Sequence, residues 1–210
     1  MFRILQFFVG IYLKLFYPTK VKGKENLPKG AAIISSNHTS NYDALLLACN
    51  TWEKKRYLAK KELFKSPIMR VLMKWAGAIK IDRSTSDMTA VKNCLKVLKD
   101  GKKLVIFPEG TRNKSEDMEL GEVKHGVSMF AIKAKVPVVP MYINRKPKFM
   151  HRTIITFGQP FELEEFYGKR LDGEALEQAS GIVAEKMKLL QEQCIAKYAK
   201  KNKVKDKKTA

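Results

Sequence analysis

Short apolar runs alternate with stretches of helical spacing along the chain. Apolar runs with the length of strands predict strands over residues 31–35, 57–59, 78–81, 104–107, 136–143 and 153–157. The segment 21–27, which ends at Pro28, Lys29 and Gly30, predicts a further short strand. Between them, apolar residues at helical spacing predict helices over residues 43–50, 62–75, 88–98, 127–133 and 173–198. Strands that alternate with helices predict an α/β fold, a single domain with a central mixed sheet flanked by helices.

Two of these helices carry boundary signals. In 62–75, Ser66 and Pro67 predict a break or a restart, because proline is tolerated in the first turn of a helix. The helix 88–98 is expected to take Ser86 as its N-cap and to stop at Gly101.

The N-terminal stretch 1–17 is rich in large apolar side chains, and Arg3, Gln6 and Lys14 interrupt it. It is too short to cross a bilayer as a helix, which needs about 20 apolar residues. We therefore expect an interfacial helix whose apolar side chains enter the lipid while Arg3 and Lys14 contact headgroups. The alternative is a helix that packs on the protein's own core.

The rest of the chain divides into a domain over residues 18–196 and a basic tail over 197–210. The tail contains seven lysines and one aspartate, and we expect it to be frayed and solvated. Each basic residue held near an anionic membrane would add about 1 kcal/mol of affinity. A polybasic tail that binds nucleic acid is the alternative.

The composition limits the function classes. With 41 Lys+Arg against 21 Asp+Glu, the formal charge is +20, which predicts attraction to polyanions, anionic membranes or anionic small molecules. The three cysteines are far apart and the chain has only three histidines, so neither a disulfide framework nor a zinc site is expected. We expect no metal and no prosthetic group.

The first candidate for chemistry is the pair His38 and Asp43, between the strand 31–35 and the helix 43–50. A carboxylate close to a histidine can fix the tautomer and charge of the imidazole, which then acts as a general base towards a hydroxyl. The alternative is a plain loop in which Asp43 favours the N-terminus of the helix and His38 bonds locally.

The second candidate is the hexapeptide FPEGTR at 107–112, directly after a buried strand. A loop at the carboxyl end of a strand often presents ligand-binding groups. Gly110 allows close approach of the backbone, Thr111 offers a hydroxyl and Arg112 offers a planar fork suited to phosphate. Glu109 would orient Arg112 or a substrate hydroxyl. The alternative is a turn with a surface ion pair.

These segments together resemble the glycerolipid acyltransferase family. The blocks that carry the resemblance are NHTSNYD at 37–43, which fits N-H-x4-D, GAIKIDR at 77–83, FPEGTR at 107–112 and VPVVP at 136–140. The resemblance runs from about residue 21 to residue 161. Lys80 departs from the family pattern, which usually has an apolar residue or proline there, and this leaves the acyl preference open.

The resemblance implies transfer of a fatty acyl group from a thioester to the free sn-2 hydroxyl of lysophosphatidic acid, which gives phosphatidic acid. By this carry-over His38 is the general base and Asp43 holds and stabilises its imidazole. The hydroxyl attacks the thioester directly, and the absence of a G-x-S-x-G motif from the sequence agrees with this. The residues implied in substrate binding are Arg112, Arg83 and Lys60 at the phosphate, and Glu109, Gly110 and Thr111 along the acceptor.

The resemblance also implies partners and a location. The acyl donor is a thioester of coenzyme A or of acyl carrier protein, and the protein is expected to be peripheral or monotopic on the cytoplasmic face of an anionic membrane. The alternatives are another lysophospholipid acceptor, an inactive lipid-binding protein, and a basic nucleic-acid-binding protein. The last is disfavoured because the aromatic residues cluster in 1–17.

Two histidines lie outside these blocks. His125, between Lys124 and Gly126, precedes a predicted helix, where Lys124 and Gly126 would help to form an anion site; an ordinary loop is the alternative. His151 is expected to be a surface residue.

Overall fold

A seven-stranded mixed sheet forms the centre of the computed structural model, which describes residues 2–51, 55–82, 87–113 and 120–209. The strands are β1 (Thr19–Lys22), β2 (Ala32–Ser36), β3 (Lys55–Lys60), β4 (Ala78–Ile81), β5 (Lys103–Ile106), β6 (Val138–Ile143) and β7 (Thr153–Phe157). The α-helices are α1 (Phe2–Phe16), α2 (Tyr42–Asn50), α3 (Pro67–Trp75), α4 (Met88–Lys99), α5 (Gly126–Ala134) and α6 (Gly173–Thr209). The predicted α/β fold with a central mixed sheet is confirmed.

The order of the strands places five carboxyl ends at one edge of the sheet. The order is β1-β7-β6-β2-β5-β3-β4, and β6, β2, β5, β3 and β4 are parallel neighbours. Strand β7 runs antiparallel to β6, and β1 runs parallel to β7. We call the edge at which the five parallel strands end the carboxyl edge; β1 begins there.

Each central strand contributes alternate side chains to two apolar layers. Ile33 and Leu104 face the layer that contains α4, α5 and α6, whereas the next residues, Ile34 and Val105, face the layer that contains α1 and α2. All the residues of β2, β5 and β6 are buried. Such complete burial is typical of parallel strands in a sheet that is covered by helices on both faces.

The first predicted strand, 21–27, is wrong in position. Strand β1 ends at Lys22, and the chain leaves the sheet at Gly23, whose φ is 70°. A Cβ at Gly23 would collide with the carbonyl oxygen of Phe157, so glycine is required there. A short 3₁₀ helix (Lys24–Asn26) follows in place of the strand.

The boundaries of α3 and α4 test the capping signals. A 3₁₀ helix (Lys61–Phe64) precedes α3, which begins at Pro67, so the predicted restart is confirmed. The N-cap of α4 is Asp87 rather than Ser86, because the Asp87 carboxylate accepts from the Ala90 N–H at 2.9 Å. Ser86 itself lies outside the described residues. Gly101 follows the helix with a φ of 72°, which confirms the predicted stop.

The two terminal segments are both helical. In α1, Leu13 is buried against the layer that contains α2, whereas Phe8 and Leu15 on its other side are exposed. Helix α6 continues through the segment 197–209, which we expected to be frayed; the segment has no glycine or proline to stop the helix. Among the helices of the described ranges, none has both the length and the apolar character that crossing a bilayer requires.

Candidate active site

The two candidate loops meet at the carboxyl edge. Strands β2 and β5 are parallel neighbours in which Ser35 pairs with Ile106, so the segment after β2 and the segment after β5 emerge side by side. A backbone bond from the Asn113 N–H to the His38 carbonyl, at 2.7 Å, joins the two loops directly. This arrangement brings the two sequence blocks together, as expected for groups that follow adjacent parallel strands.

His38 and Asp43 form a hydrogen-bonded pair. The His38 Nδ1 lies 2.9 Å from the Asp43 Oδ2. The Asp43 side chain is fully buried, with 0% exposure, whereas the His38 side chain is 21% exposed. The pair therefore has an inner carboxylate and an outer imidazole, the order that a general base oriented by an acid needs.

The loop before α2 surrounds the Asp43 carboxylate with donors. Its Oδ2 accepts from the Thr39 N–H at 2.6 Å and from the Ser40 N–H at 2.7 Å, and its Oδ1 accepts from the Thr39 hydroxyl at 3.0 Å. Asp43 lies in the first turn of α2, where a negative charge is favoured by the helix dipole. The Asp43 carboxylate therefore has both roles that the sequence suggested: it bonds to the loop backbone before α2, and it bonds to His38.

Phe107 packs against one face of the imidazole. Its ring stacks on His38 with 4.2 Å between the ring centroids and an interplanar angle of 24°. Together with Asp43, this contact fixes the plane of the imidazole as well as its position. From the sequence, Phe107 belongs to the FPEGTR block and to the end of the predicted strand, and no role of its own was predicted for it. Its place as the first residue after β5 is the signal that was available.

Glu109 is turned inward and bonds to the backbone of both neighbouring segments. Its Oε1 accepts from the His38 N–H at 3.0 Å, and its Oε2 accepts from the Gly121 N–H at 3.4 Å. Burial raises the pKa of the Glu109 carboxyl above its ordinary value, although the two backbone bonds act in the opposite direction. Its carboxylate thus supports the loop that carries His38, a contact that the sequence did not predict.

The other predicted binding residues after β5 face solvent. Gly110 adopts a φ of 71° and donates its N–H to the Phe107 carbonyl at 3.1 Å, which closes the turn. Thr111 and Arg112 follow it and are exposed. The turn therefore separates an inward carboxylate, Glu109, from an outward hydroxyl and guanidinium.

The remaining predicted phosphate contacts belong to neighbouring strands. Lys60 is the last residue of β3 and is exposed at the carboxyl edge. The adjacent Lys61 pairs instead with Asp82 after β4, at 2.6 Å. Arg83 lies outside the described residues.

Asn37, which belongs to the N-H-x4-D block, is a positioning residue. It is buried directly after β2, its amide Nδ2 donates to the Ile143 carbonyl at 3.0 Å, and its Oδ1 accepts from the Ile143 N–H at 2.8 Å. These two bonds fix the loop that carries His38 to the end of β6. A polar residue that directly follows a buried apolar strand was the signal in the sequence.

The histidines outside the site have local partners. His125 precedes α5 and bonds through Nδ1 to the Ser180 hydroxyl at 3.0 Å, while its Nε2 lies 3.6 Å from a Glu177 carboxylate oxygen. The anion site at this position stays a prediction. His151 is exposed, as expected. In the described ranges, no group of three or more acidic, histidine or cysteine side chains is arranged to hold a metal ion.

Comparisons with known proteins identify the family of the chain. A family model described as acyltransferase matches residues 18–144. The chain is 32% identical over 151 residues to the chloroplastic 1-acyl-sn-glycerol-3-phosphate acyltransferase of Brassica napus, a match that covers 70% of this chain and 43% of that protein. It is 35% identical over 132 residues to the 1-acyl-sn-glycerol-3-phosphate acyltransferase of Bacillus subtilis, which covers 62% of this chain and 64% of that protein.

The fold has a counterpart among solved structures. The crystal structure of the 1-acyl-sn-glycerophosphate acyltransferase of Thermotoga maritima resembles this one with a TM-score of 0.66 and 25% identity, over 90% of this chain and 79% of that chain. This chain spans less than half of the plant relative's length. The family model nevertheless covers more than half of this chain, including both loops of the site, and the protein therefore belongs to the acyltransferase family.

Proposed function

We propose that the protein transfers a fatty acyl group from an acyl thioester to the free sn-2 hydroxyl of lysophosphatidic acid, which gives phosphatidic acid. The observation that carries the proposal is the bond of 2.9 Å between the His38 Nδ1 and the buried Asp43 carboxylate. Two relatives, from Brassica napus and Bacillus subtilis, are named as acyltransferases of this acceptor, which supports the choice of substrate.

In the proposed reaction, His38 is the general base. Because Nδ1 is held by Asp43, the ring nitrogen Nε2 takes the proton from the acceptor hydroxyl. The hydroxyl oxygen then attacks the thioester carbonyl carbon, the carbon–sulfur bond breaks, and the leaving thiolate receives the proton from the imidazolium. The Asp43 carboxylate stabilises the imidazolium during the transfer, and no acyl group is attached to the protein.

The acceptor phosphate is proposed to bind to Arg112, with Arg83 and Lys60 as further contacts. Arg112 and Lys60 are both exposed at the carboxyl edge, and a guanidinium suits the fork geometry of phosphate oxygens. Gly110 and Thr111 would line the path of the acceptor between Arg112 and His38. Glu109 acts on this site through its bond to the His38 N–H.

The proposed acceptor and product are membrane lipids, which supports a location at a membrane. We propose that α1 lies on the cytoplasmic face of an anionic membrane, with Phe8 and Leu15 towards the lipid; both side chains are more than half exposed. The acyl donor is a thioester of coenzyme A or of acyl carrier protein. The charge of +20 supports an anionic surface as the partner.

The test is the release of free thiol from acyl-coenzyme A in detergent micelles, with and without lysophosphatidic acid, for the wild type and His38→Ala. We expect release that requires the acceptor, and a loss of about 10²- to 10⁴-fold in His38→Ala with unchanged thermal unfolding. Parallel arms with an acyl carrier protein thioester and with other lysophospholipids identify the donor and the headgroup. Turnover by His38→Ala at the wild-type rate would refute the mechanism.

A further inference from the structure

The connection between β6 and β7 combines positive charge with exposed apolar side chains. Residues 145–152, which we call the hairpin tip, have the sequence RKPKFMHR, with four Lys and Arg residues and no acidic residue. Within it, Phe149 is 58% exposed and Met150 is 62% exposed. Met150 has a φ of 57°, which is uncommon for a long side chain and marks a constrained turn.

The hairpin tip lies at the carboxyl edge, on the same side of the sheet as His38. Strand β6 is parallel to β2, so the segment that follows β6 emerges beside the segment that follows β2. The bonds between Asn37 and Ile143 fix this relation, since they join the first residue after β2 to the last residue of β6.

The hairpin tip is fastened to the C-terminal end of α1. The Met150 N–H donates to the Phe16 carbonyl at 2.7 Å, and the rings of Phe16 and Phe149 stack with 5.4 Å between centroids. The Thr153 N–H donates to the Pro18 carbonyl at 2.9 Å. These contacts place the exposed side chains of Phe149 and Met150 beside the C-terminal end of α1, where Leu15 is also exposed.

The same end of α1 lies beside the catalytic loop. Tyr17, directly after α1, stacks on Tyr42 with 5.0 Å between centroids and an interplanar angle of 22°. Tyr42 is the first residue of α2 and the neighbour of Asp43 in the chain. Tyr42 and Leu45, one turn further along α2, are both exposed. Exposed apolar side chains of α1, the hairpin tip and the start of α2 thus lie close together, next to His38.

We infer that the hairpin tip is a second membrane-contacting element, and that its partner is an anionic bilayer. Phe149 and Met150 enter the interface beside α1, while Lys146, Lys148 and Arg152 contact anionic headgroups. With α1, the tip gives the protein two points of attachment around the catalytic loop and so sets the orientation of His38 towards the bilayer. This inference rests on the proposed function, in which both the acceptor and the product are membrane lipids.

Charge complementarity and apolar exposure together select a bilayer. Binding to an acidic protein would explain the basic residues. It would not explain an exposed aromatic and an exposed methionine side chain beside an amphipathic helix. An interfacial surface requires both, because the apolar side chains enter the acyl boundary while the basic residues remain at the headgroups. The hairpin tip has this arrangement.

The test measures binding of the full chain to vesicles by flotation, with vesicles of phosphatidylcholine alone and of phosphatidylcholine with phosphatidylglycerol. The charge variant is Lys146→Gln/Lys148→Gln/Arg152→Gln, and its matched control, Lys169→Gln/Arg170→Gln/Lys188→Gln, removes the same charge from exposed positions elsewhere. The apolar variant is Phe149→Ser/Met150→Ser. Its control is Leu189→Ser/Ile195→Ser on α6, in the opposite layer, where the side chains are 47% and 50% exposed.

We expect the charge variant to bind the anionic vesicles at least about 10-fold more weakly than its control, with little change on neutral vesicles. The apolar variant should bind both kinds of vesicle more weakly than its control. Hairpin-tip variants that bind as their controls do would overturn the inference. So would a charge variant that loses binding to acyl carrier protein while it keeps binding to vesicles.

Thiol release in detergent micelles separates this inference from the proposed function. The hairpin-tip variants should keep wild-type turnover in micelles and lose it on anionic vesicles. A wild type that binds vesicles through the hairpin tip and yet transfers no acyl group to any lysolipid would refute the proposed function and leave the membrane contact standing.

Discussion

The two loops that meet at the carboxyl edge hold their polar groups in opposite ways. In the loop after β2, the Asp43 carboxylate is fully buried and each oxygen accepts hydrogen bonds from the protein itself. In the loop after β5, Thr111 and Arg112 are exposed. The first loop is a closed network that fixes a base, and the second presents groups that a ligand would have to satisfy. Changes in the first should therefore affect the rate, and changes in the second should affect affinity.

After His38→Ala, the largest effect is expected from Asp43→Asn. If the new carbonyl oxygen replaces Oδ2, it keeps the bonds from His38, Thr39 and Ser40, and the new amide donates to the Thr39 hydroxyl. The fold is retained, but the charge that stabilises the imidazolium is lost. An ion pair at 4 Å contributes about 4 kcal/mol at an effective dielectric constant of 20, so we expect kcat to fall about 100- to 1,000-fold.

Asp43→Ala provides the structural control for this prediction. It removes the acceptor from the buried Thr39 and Ser40 N–H groups and should cost about 2–5 kcal/mol in the free energy of unfolding. Urea unfolding of both variants distinguishes the loss of charge from the loss of structure. If Asp43→Asn kept the wild-type kcat, the carboxylate would be only a cap of the loop.

Arg112→Ala tests the open loop. Because the side chain is exposed, its removal should leave thermal unfolding unchanged. Loss of a charged hydrogen bond to phosphate costs about 1.5–3 kcal/mol, so we expect the KM for lysophosphatidic acid to rise about 10- to 100-fold, with a smaller change in kcat. Steady-state thiol release over a range of acceptor concentrations gives both constants.

Two further arginine substitutions control for charge. Arg112→Lys keeps the charge and loses the planar fork, so it should recover only part of the affinity. Arg170→Ala removes an exposed arginine from the connection before α6 and should leave the KM unchanged. An equal rise in KM for the two alanine variants would mean that Arg112 acts only through the net charge of the protein.

Glu109 sharpens the comparison, because it belongs to the open loop by sequence and to the closed network by its contacts. In Glu109→Gln one oxygen can still accept from the His38 N–H, and only the bond of 3.4 Å to Gly121 is lost. Loss of this bond would shift the loop that carries His38 at a cost of about 1 kcal/mol, so we expect kcat to fall by no more than about 10-fold.

The pH dependence of stability gives Glu109→Gln a second test. Burial raises the folded pKa of Glu109 above 4.5, so the stability that this group contributes is fully present below 4.5 and is lost as the pH rises through the folded pKa. The free energy of unfolding of the wild type relative to Glu109→Gln should therefore fall as the pH rises from acid to neutral. A constant difference over that range would show that burial of the ionised carboxylate carries no cost.

The sequence was sufficient to predict the central sheet, apart from the position of its first strand, and the two loops, because these depend on local patterns and on which strands end in polar motifs. For the pair His38 and Asp43, the local pattern left a plain loop open, and the resemblance of the four blocks to a family favoured the general-base role. The sequence could not predict the inward turn of Glu109, because that depends on the distance between the β2 and β5 loops and on Gly121, which is distant in the chain. The two hydrogen bonds between Asn37 and Ile143 could not be predicted for the same reason, since the residues are 106 positions apart.

Local signals were less decisive at a turn and at a helix cap. The predicted strand 21–27 includes Gly23, whose backbone has a positive φ; only its two end residues, Val21 and Leu27, are apolar, and the polar residues between them are typical of a turn. Ser86 and Asp87 are adjacent and both can cap a helix. The choice of Asp87 depends on a tertiary contact, because its second oxygen accepts from the Asp82 N–H after β4 at 3.0 Å.

Asp87→Ala carries the comparison to a carboxylate that bonds to backbone but lies outside the site, and its effect should be the smallest. It removes bonds from the N–H groups of Asp82 and Ala90, so we expect Tm at neutral pH to fall by about 2–4 °C with kcat unchanged. Asp172→Ala is the matched control. Among the described residues, the Asp172 carboxylate accepts one bond, from the Ala175 N–H, so its removal should lower Tm less.

The sign of the pH effect at Asp87 is opposite to that at Glu109. Backbone bonds, first from Asp82 and then from Ala90, lower the folded pKa of Asp87 below 3.8. The stability that Asp87 contributes is therefore present above 3.8 and is lost as the pH falls through the folded pKa. The Tm values of the wild type and of Asp87→Ala should therefore converge as the pH falls. A Tm difference that widened in acid would mean that the protonated carboxyl stabilises the fold more than the carboxylate does.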